Sequence, residues 1–336
     1  MARVSFGVEI HPYYDVPELM REITLAEELG YDQVWVGDSQ LIWREMYVIL
    51  GAAAQATSRI LLGSGVTNPV TRVSAVTASA AATLQELSGG RLTLGIGSGF
   101  TSVNTMGKRP ATRARLEACV DEVRALCRGA RVPAGAEDMR LMFAGPEKCP
   151  PIALAASGPR MLRLAGRIGD GVILARVAME GDMLDRMMAC VNDGRREGGR
   201  EAEPFRTFLS VSAAVDEDGS KAVSVVRPHV AQSILKPFWG LSPAAAAAAE
   251  RMTGRYDNYQ HLNPNAAHAD SVPDEVVPEF ALAGTPARCI ETARRMFDNG
   301  IDQITIRPYA VDGRPRASMI RAFAEQVMQP MLRGGR

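Results

Sequence analysis

Short apolar segments alternate with helical segments along most of the chain, and this alternation restricts the possible folds more than any other feature of the sequence. The apolar segments have the length of strands and are bounded by Gly, Pro or polar residues, whereas the segments between them have the length of helices. Strands that alternate with helices form parallel sheets, and eight such repeats can close into a barrel. The sequence therefore predicts an α/β fold, a (β/α)8 TIM barrel with insertions.

The predicted elements cover both ends of the chain and most of its middle. Strands are predicted at Val4–Ile10, Gln33–Val36, Ile60–Leu62, Leu92–Ile96, Ile152–Ala155, Gly171–Leu174, Arg206–Val215 and Gln303–Ile306. Helices are predicted at Pro17–Leu29, Met46–Ala56, Ser74–Leu87, Thr112–Arg128, Arg160–Ile168, Met183–Arg196, Thr285–Asn299 and Arg316–Met328. Asp15 is the expected cap of the first helix and Gly30 its stop.

One long segment does not follow this pattern. A chain of 336 residues suits a single barrel domain over 1–336, with a mainly helical insertion at about 216–283. This insertion holds the alanine run Ala244–Ala249, which favours a helix, and the Pro-, Asn- and His-rich section His261–Pro273. We interpret the segment as part of the barrel domain, inserted between the seventh and eighth strands.

The composition argues against several classes of partner. The chain has 38 basic and 38 acidic residues, so its charge favours neither nucleic acid nor an anionic membrane surface. No apolar run approaches the ~20 residues that span a bilayer, and Met1–Val4 does not begin the apolar region of a signal peptide. We therefore expect a cytoplasmic protein with a small-molecule substrate and with neither nucleic-acid nor membrane partners.

The cysteines and histidines lack the spacing of a metal site or a disulfide framework. The five cysteines are scattered, and none belongs to a Cys-x-x-Cys pair: Cys119, Cys127, Cys149, Cys190 and Cys289. His229, His261 and His268 are too dispersed for a metal-ligand motif. We expect no bound metal.

The third predicted strand leads into an informative loop. The strand ends in Gly63-Ser64-Gly65, where the backbone can turn sharply or approach a ligand closely. Polar Thr67, Asn68 and Arg72 follow before the next helix begins. A strand, a glycine-rich polar loop and a helix in this order are how α/β proteins present a polar ligand site.

In a barrel of this kind the active site lies at the carboxyl ends of the strands. The residues at these ends are Glu9, His11, Asp38, Ser39, Gly65, Val66, Thr67, Asn68, Gly97, Ser98, Gly99, Ala156, Ser157, Gly158, Ala175, Arg176 and Arg307. They are the candidates for a ligand site, irrespective of any family.

Two glycine-containing turns among these candidates could hold a phosphate. Ser157-Gly158-Pro159 comes directly before a helix, so backbone N–H groups and the positive helix end face outward. Gly95-Ile96-Gly97-Ser98-Gly99 also follows a strand, but it lacks the Gly-x-Gly-x-x-Gly spacing of a dinucleotide-binding fold. The alternative for each segment is a plain tight turn.

The acid–base candidates each have a structural alternative. Asp38 could function in the site or could cap a helix or turn, and His11 could be an ordinary loop histidine. Glu9 lies in an apolar strand, where a carboxylate is unfavourable unless it is paired, and this favours a functional role. Trp43 could form a ring-stacking wall or anchor a loop. No nucleophile elbow or phosphate-binding Walker loop is present in the sequence.

Several segments of the chain together form a recognisable pattern. They are Val36-Gly37-Asp38, Gly63–Arg72, Glu86–Gly97, Ala156–Leu162, Gly169–Leu174, Ala283–Pro286 and Gly300–Gln303. These segments resemble the luciferase-like oxidoreductase superfamily, and most closely its methylenetetrahydromethanopterin reductase-like members, which use the deazaflavin coenzyme F420. The resemblance covers most of the chain, although residues 100–150 and 175–255 match poorly.

The resemblance implies a flavin or deazaflavin at the mouth of the barrel. A bulge after the third strand, often with a non-proline cis peptide, would support the ring at Gly65-Val66 or one bond away, and Asp38 would contact the polar edge of the ring. The Ala156-Ser157-Gly158 turn would hold the phosphate. The implied cofactor-binding residues are Asp38, Ser64, Gly65, Val66, Thr67, Asn68, Ser98, Ala155, Ala156, Ser157, Gly158, Ala175 and Arg176.

The chain departs from the resemblance in its substrate half. Relatives carry an Asp-His pair after the second strand, where this chain has Asp38-Ser39, and many place an acid where Phe100 stands. Trp43 matches a tryptophan of the relatives. We expect Trp43 and Phe100 to contact a flatter, more apolar substrate. The candidates for catalytic proton handling are Asp38, Ser39, Glu9 and His11.

The resemblance implies an oxidoreductase that transfers hydride between coenzyme F420 and a small organic substrate. The first alternative is a monooxygenase that uses reduced FMN from a partner flavin reductase. The second alternative is a flavin-binding protein without catalytic activity. Relatives are commonly dimers, so a homodimer is expected.

Overall fold

The structure is a computed structural model that describes residues 4–235, 237–253, 255, 257–260 and 266–334. Residues 1–3 of the N-terminal segment considered above lie outside the described residues. His261 and the first part of the section His261–Pro273 also lie outside them.

Within the described residues, nine parallel strands form one sheet, and eight of them close into a cylinder. The cylinder runs β1-β2-β3-β4-β5-β6-β7-β9 and returns from β9 to β1. The predicted TIM barrel is thereby confirmed. The strands are β1 Phe6–Ile10, β2 Gln33–Val36, β3 Leu61–Ser64, β4 Leu92–Ile96, β5 Ile152–Ala156, β6 Gly171–Leu174, β7 Arg206–Val215, β8 Ala281–Gly284 and β9 Gln303–Pro308.

The strand β8 was not predicted from the sequence. It lies beside the last residues of β7, with Ser212 opposite Ala281 and Val215 opposite Gly284, beyond the point where β6 ends. Its sequence, Ala-Leu-Ala-Gly, is short and has little intrinsic preference for a strand. Pairing with the free edge of the long strand β7 therefore determines its conformation.

Thirteen helices surround the cylinder in the described part of the chain, and the eight predicted helices are among them. They are α1 Val16–Leu29, α2 Met46–Ala56, α3 Ser74–Leu87, α4 Thr101–Asn104, α5 Arg113–Cys127, α6 Pro159–Ile168, α7 Met183–Glu197, α8 Gly219–Leu235, α9 Pro243–Met252, α10 Val277–Phe280, α11 Pro286–Asp298, α12 Arg316–Phe323 and α13 Gln329–Gly334. A π-helical turn over Ala324–Met328 joins the last two helices. As predicted, Asp15 caps α1 by accepting a hydrogen bond from the Glu18 backbone N–H at 2.9 Å, and Gly30 ends the helix with φ 89°.

The buried residues form two clusters on opposite sides of the strands. The larger cluster lies between strands and helices and includes Val34 and Val36 of β2. Trp35 belongs to a second cluster with Ala153, Ile173 and Phe208. Because successive side chains of a strand point to opposite faces, this second cluster fills the interior of the cylinder.

None of the described helices combines the length and the apolar character required to cross a membrane.

Candidate active site

The carboxyl ends of the barrel strands surround a cavity of about 570 Å³. Trp35 and Ile173 of the interior cluster contribute to its wall. Most of the site residues expected from the sequence line it: Glu9, His11, Asp38, Ser39, Trp43, Gly65, Val66, Ser98, Phe100, Ala155, Ala156, Ser157, Gly158, Ala175 and Arg176. The structure therefore brings these residues, from the ends of six strands, together around one space.

Three expected cofactor contacts, Ser64, Thr67 and Asn68, lie behind the cavity wall instead. The Ser64 hydroxyl donates to the Gly95 carbonyl at 2.8 Å, and the Thr67 backbone N–H donates to the same oxygen at 3.0 Å. The Asn68 side-chain oxygen accepts from the backbone N–H groups of Val70 and Thr71, both at 3.0 Å. These residues shape the loop after β3 rather than line the cavity.

The peptide bond between Gly65 and Val66 is cis, which confirms the bond proposed from the resemblance. Val66 lines the cavity at this point, and two glycines of β4 and its end make room for it. A Cβ atom on Gly95 would lie 2.1 Å from the Ser64 carbonyl oxygen, and one on Gly97 would lie 3.2 Å from a methyl group of Val66. Glycine at positions 95 and 97 therefore allows the loop after β3 to pack closely against β4.

A polar cluster occupies another part of the wall and centres on Glu9. One carboxylate oxygen of Glu9 pairs with Nε2 of His11 at 2.8 Å. The other accepts from the Ser210 hydroxyl at 2.6 Å and from Nε of Arg307 at 2.9 Å. This explains how a carboxylate is accommodated at the end of an apolar strand, because each of its oxygens has a partner.

The environment sets the protonation of both groups. Burial acts to raise the pKa of Glu9, but Arg307, His11 and Ser210 together hold that pKa far below its usual range, so the carboxylate stays ionised. Burial lowers the pKa of His11 below 6.5, against the opposing effect of Glu9. His11 is therefore a neutral imidazole near pH 7, and it donates its Nε2 proton to Glu9.

Several residues of this cluster were missed or undervalued in the sequence. Arg307 stands among the strand-end candidates but was given no role, although it pairs with Glu9 and donates to Ser210. His229, on α8, contacts both Arg307 and Ser212. Gln232 and Ser233 also line the cavity, three and four residues after His229. That helical spacing was the available signal, because it places the three side chains on one face.

Asp38 lies at the cavity wall in a different ionic group. Arg72 forms ion pairs with both Asp38 and Glu45, and the Gln40 amide also donates to Asp38. Burial raises the pKa of the Asp38 carboxyl, and Arg72 opposes that effect. Asp38 is therefore held at the cavity wall by Arg72, where it can offer a polar contact to a ligand, and its part in proton transfer stays a prediction.

The turn before α6 has the features of an anion site. The helix begins at Pro159, and no side chain of the described residues caps its N-terminus at Gly158. The Ser157 hydroxyl donates to the Ala175 carbonyl at 3.1 Å, and the Trp239 indole N–H donates to the Ser157 carbonyl at 2.7 Å. These contacts hold the turn while the helix N-terminus remains directed to the cavity.

Apolar side chains complete the cavity. The imidazole of His11 stacks on Trp43, and the guanidinium of Arg176 lies over Phe100 at 5.5 Å from the ring centroid. Further apolar lining residues are Met161, Val177, Met179, Val211, Phe238 and Phe280. The site thus has one strongly polar wall and one apolar wall.

Comparison with known proteins gives a consistent result. Residues 2–303 match the family model for luciferase-like monooxygenases. The chain is 31% identical over 315 residues to a 5,10-methylenetetrahydromethanopterin reductase of Archaeoglobus fulgidus, covering 90% of this chain and 92% of that protein. It is 28% identical over 352 residues to an F420-dependent glucose-6-phosphate dehydrogenase of Nakamurella multipartita, covering 98% and 97% of the two chains.

The fold is also that of a solved relative. The coenzyme F420-dependent tetrahydromethanopterin reductase of Methanopyrus kandleri superposes with a TM-score of 0.80 at 23% identity, covering 98% of this chain and all of that one. At this identity the superposition establishes the fold alone. The match over residues 2–303, most of the chain, shows that the chain belongs to the luciferase-like monooxygenase family.

Proposed function

We propose that this chain transfers hydride between coenzyme F420 and a small, uncharged organic substrate. The observation that carries the proposal is that one cavity is lined by the Gly65-Val66 peptide, the turn at Ser157-Gly158 and the Glu9–His11 pair. The relatives reported above, whose names include F420 or methylenetetrahydromethanopterin, support F420 over FMN as the cofactor.

The cavity has suitable groups for both ends of such a cofactor. Val66 and the backbone of Gly65 offer a surface for a flat ring, and Asp38 offers a polar contact for its edge. The N-terminus of α6 at Ser157-Gly158 offers backbone N–H groups for a phosphate. When bound, the deazaflavin ring supplies the hydride chemistry, so the contribution of the protein is binding, orientation and proton transfer.

His11 is the residue best placed to handle the proton. Its Nε2 proton is engaged by Glu9, so Nδ1 carries the lone pair of the neutral imidazole. Oxidation of an alcohol removes a hydride from its carbon and a proton from its oxygen, and Nδ1 of His11 accepts that proton. In the reverse direction the imidazolium returns it. His11, directly after β1, thus takes the place of the histidine that relatives carry at the position of Ser39.

The charges at the cavity indicate the substrate class. The four charged side chains among the described lining residues all have partners, since Glu9 pairs with Arg307, Asp38 pairs with Arg72 and Arg176 lies over Phe100. A charged substrate would have to compete with these contacts. An uncharged alcohol, ketone or imine with an apolar body can form hydrogen bonds with the polar wall and pack against the apolar wall.

Titration of the purified protein with F420 and with FMN, each oxidised and reduced, tests the proposal. We expect tight binding of F420, followed by substrate-dependent hydride transfer without oxygen uptake. Oxygen consumption with reduced FMN would instead support the monooxygenase alternative. Cofactor binding without turnover on any of a panel of alcohols, ketones and imines would support the non-catalytic alternative.

Three further expectations stay predictions. They are the homodimer, the cytoplasmic location and, for the FMN alternative, a partner flavin reductase. Light scattering at several protein concentrations tests the first of these.

A further inference from the structure

A second cavity, of about 270 Å³, lies on the other side of the polar cluster. Glu9, His11 and Arg307 line both this cavity and the larger one described above. The three side chains therefore form a wall with a space on each side. We call the second space the rear groove, and its remaining lining residues are Tyr13, Tyr14, Val225, Pro308, Tyr309, Ala310, Gly313, Arg314 and Arg316.

The rear groove connects the cluster to the protein surface. His11 and Arg307 at its inner end are each only 7% exposed, whereas Tyr13 at its rim is 43% exposed. The side chain of Arg314 is half exposed. The groove thus leads from solvent to the buried face of the Glu9–His11 pair without passing through the larger cavity.

The charges in the rear groove argue against an ionic ligand. Among the described residues that line it, Arg316 pairs with buried Glu22, Arg314 pairs with Asp216 at 3.1 Å and Arg307 pairs with Glu9. The guanidinium of Arg316 also lies over the rings of Tyr13 and Tyr14. Each guanidinium group that lines the groove is thus paired with a carboxylate. A space of this size, lined by phenol groups and paired guanidinium groups, is suited to water molecules.

We propose that the rear groove is the route by which the imidazole of His11 exchanges protons with solvent. This inference rests on the proposed function, in which each turnover leaves one proton on His11 or takes one from it. A bound cofactor ring and substrate fill the larger cavity and exclude water from it. The imidazole must nevertheless return to its starting protonation state before the next turnover, and the groove keeps it in contact with water while the larger cavity is occupied.

The test is to narrow the groove without touching the cluster. Val225 lies on α8, is partly buried and lines the groove, so Val225→Trp places a large side chain in the path. Ser224→Trp is the matched control, because residue 224 is the exposed neighbour on the same helix and does not line the groove. Ala310→Phe narrows the groove from a different segment, so the test survives if one variant does not fold.

The readout is exchange of the His11 ring N–H proton with water, measured by NMR on protein with labelled histidine. In a non-reacting complex with oxidised F420 and a ketone, which together occupy the larger cavity, we expect wild type and Ser224→Trp to exchange at the same rate. Val225→Trp and Ala310→Phe should slow this exchange at least about tenfold, because water then reaches His11 from neither side.

Two results would overturn the proposal. One is that the His11 ring N–H proton of folded Val225→Trp or Ala310→Phe, in the same complex, exchanges as fast as it does in wild type. The other is loss of exchange in wild type once F420 and the ketone occupy the larger cavity. Neither result affects the proposed function, which fails separately if the wild-type protein binds F420 but transfers no hydride, or does not bind F420.

Discussion

The imidazole of His11 lies parallel to the indole of Trp43, with 4.5 Å between the ring centroids and 11° between the ring planes. Glu9 engages the Nε2 edge of the same imidazole. His11 is thus held on its face by an aromatic ring and on its edge by a carboxylate. This arrangement fixes the orientation and the tautomer of the imidazole, as our proposal that His11 is a general base requires.

Replacement of His11 should separate catalysis from cofactor binding. We expect His11→Asn to lower turnover by about 10²- to 10⁴-fold, the usual contribution of a positioned acid or base, with little change in the Kd for F420. Ser39→Ala should lower turnover far less, because we propose that His11 rather than Ser39 carries the proton. Steady-state kinetics and cofactor titration measure both. An equal loss of turnover in the two variants would contradict the assignment.

The pH dependence should follow the lowered pKa of His11. Because burial lowers that pKa below 6.5, the base is already unprotonated at neutral pH, and kcat/KM for alcohol oxidation should fall only in acid below pH 6.5. The Glu9 carboxylate favours the imidazolium, so Glu9→Gln should move this acid limb to still lower pH. A pH profile of wild type with its limb above 6.5 would refute the argument.

Truncation of Val66 should weaken cofactor binding without unfolding the barrel. Val66→Ala removes two methyl groups from the proposed ring surface, a loss of about 0.8 kcal/mol for each buried group. The Kd for F420 should therefore rise roughly tenfold. Val48→Ala is the control, because Val48 is 66% exposed on α2 and lies away from the cavity. Equal affinity of Val66→Ala and Val48→Ala would show that Val66 does not contact the ring.

A Cβ atom at position 95 should disturb the contact between the loop after β3 and β4. Gly95→Ala would place this atom 2.1 Å from the Ser64 carbonyl oxygen, so the backbone must move. We expect a loss of at least about 1–3 kcal/mol in the free energy of unfolding. Gly240→Ala is the control, since a Cβ atom there meets no described atom within 4 Å. Urea unfolding compares the two, and a Gly95→Ala variant as stable as Gly240→Ala would contradict the model of close packing.

The sequence alone was sufficient for the architecture. Strand and helix periodicity depends on neighbouring residues, so the eight barrel strands, the cap at Asp15 and the stop at Gly30 could be predicted from local patterns. The cis bond between Gly65 and Val66 was also predicted, from motif resemblance. The strand β8 could not be predicted, because its conformation depends on the free edge of β7.

The partners of each site residue were decided only by the tertiary structure. Glu9 lies 201 residues from Ser210 and 298 residues from Arg307 in the chain, yet the three side chains are hydrogen-bonded because closure of the cylinder places β1 next to β9 and β9 next to β7. His229 joins them from α8, the helix that follows β7. Local sequence encodes the direction in which a side chain leaves its strand, whereas the pKa of Glu9 or His11 depends on charges and burial contributed by residues far along the chain. The sequence therefore determined the barrel and the positions of the candidate groups, and the folded structure determined which of them remain ionised and which can accept a proton.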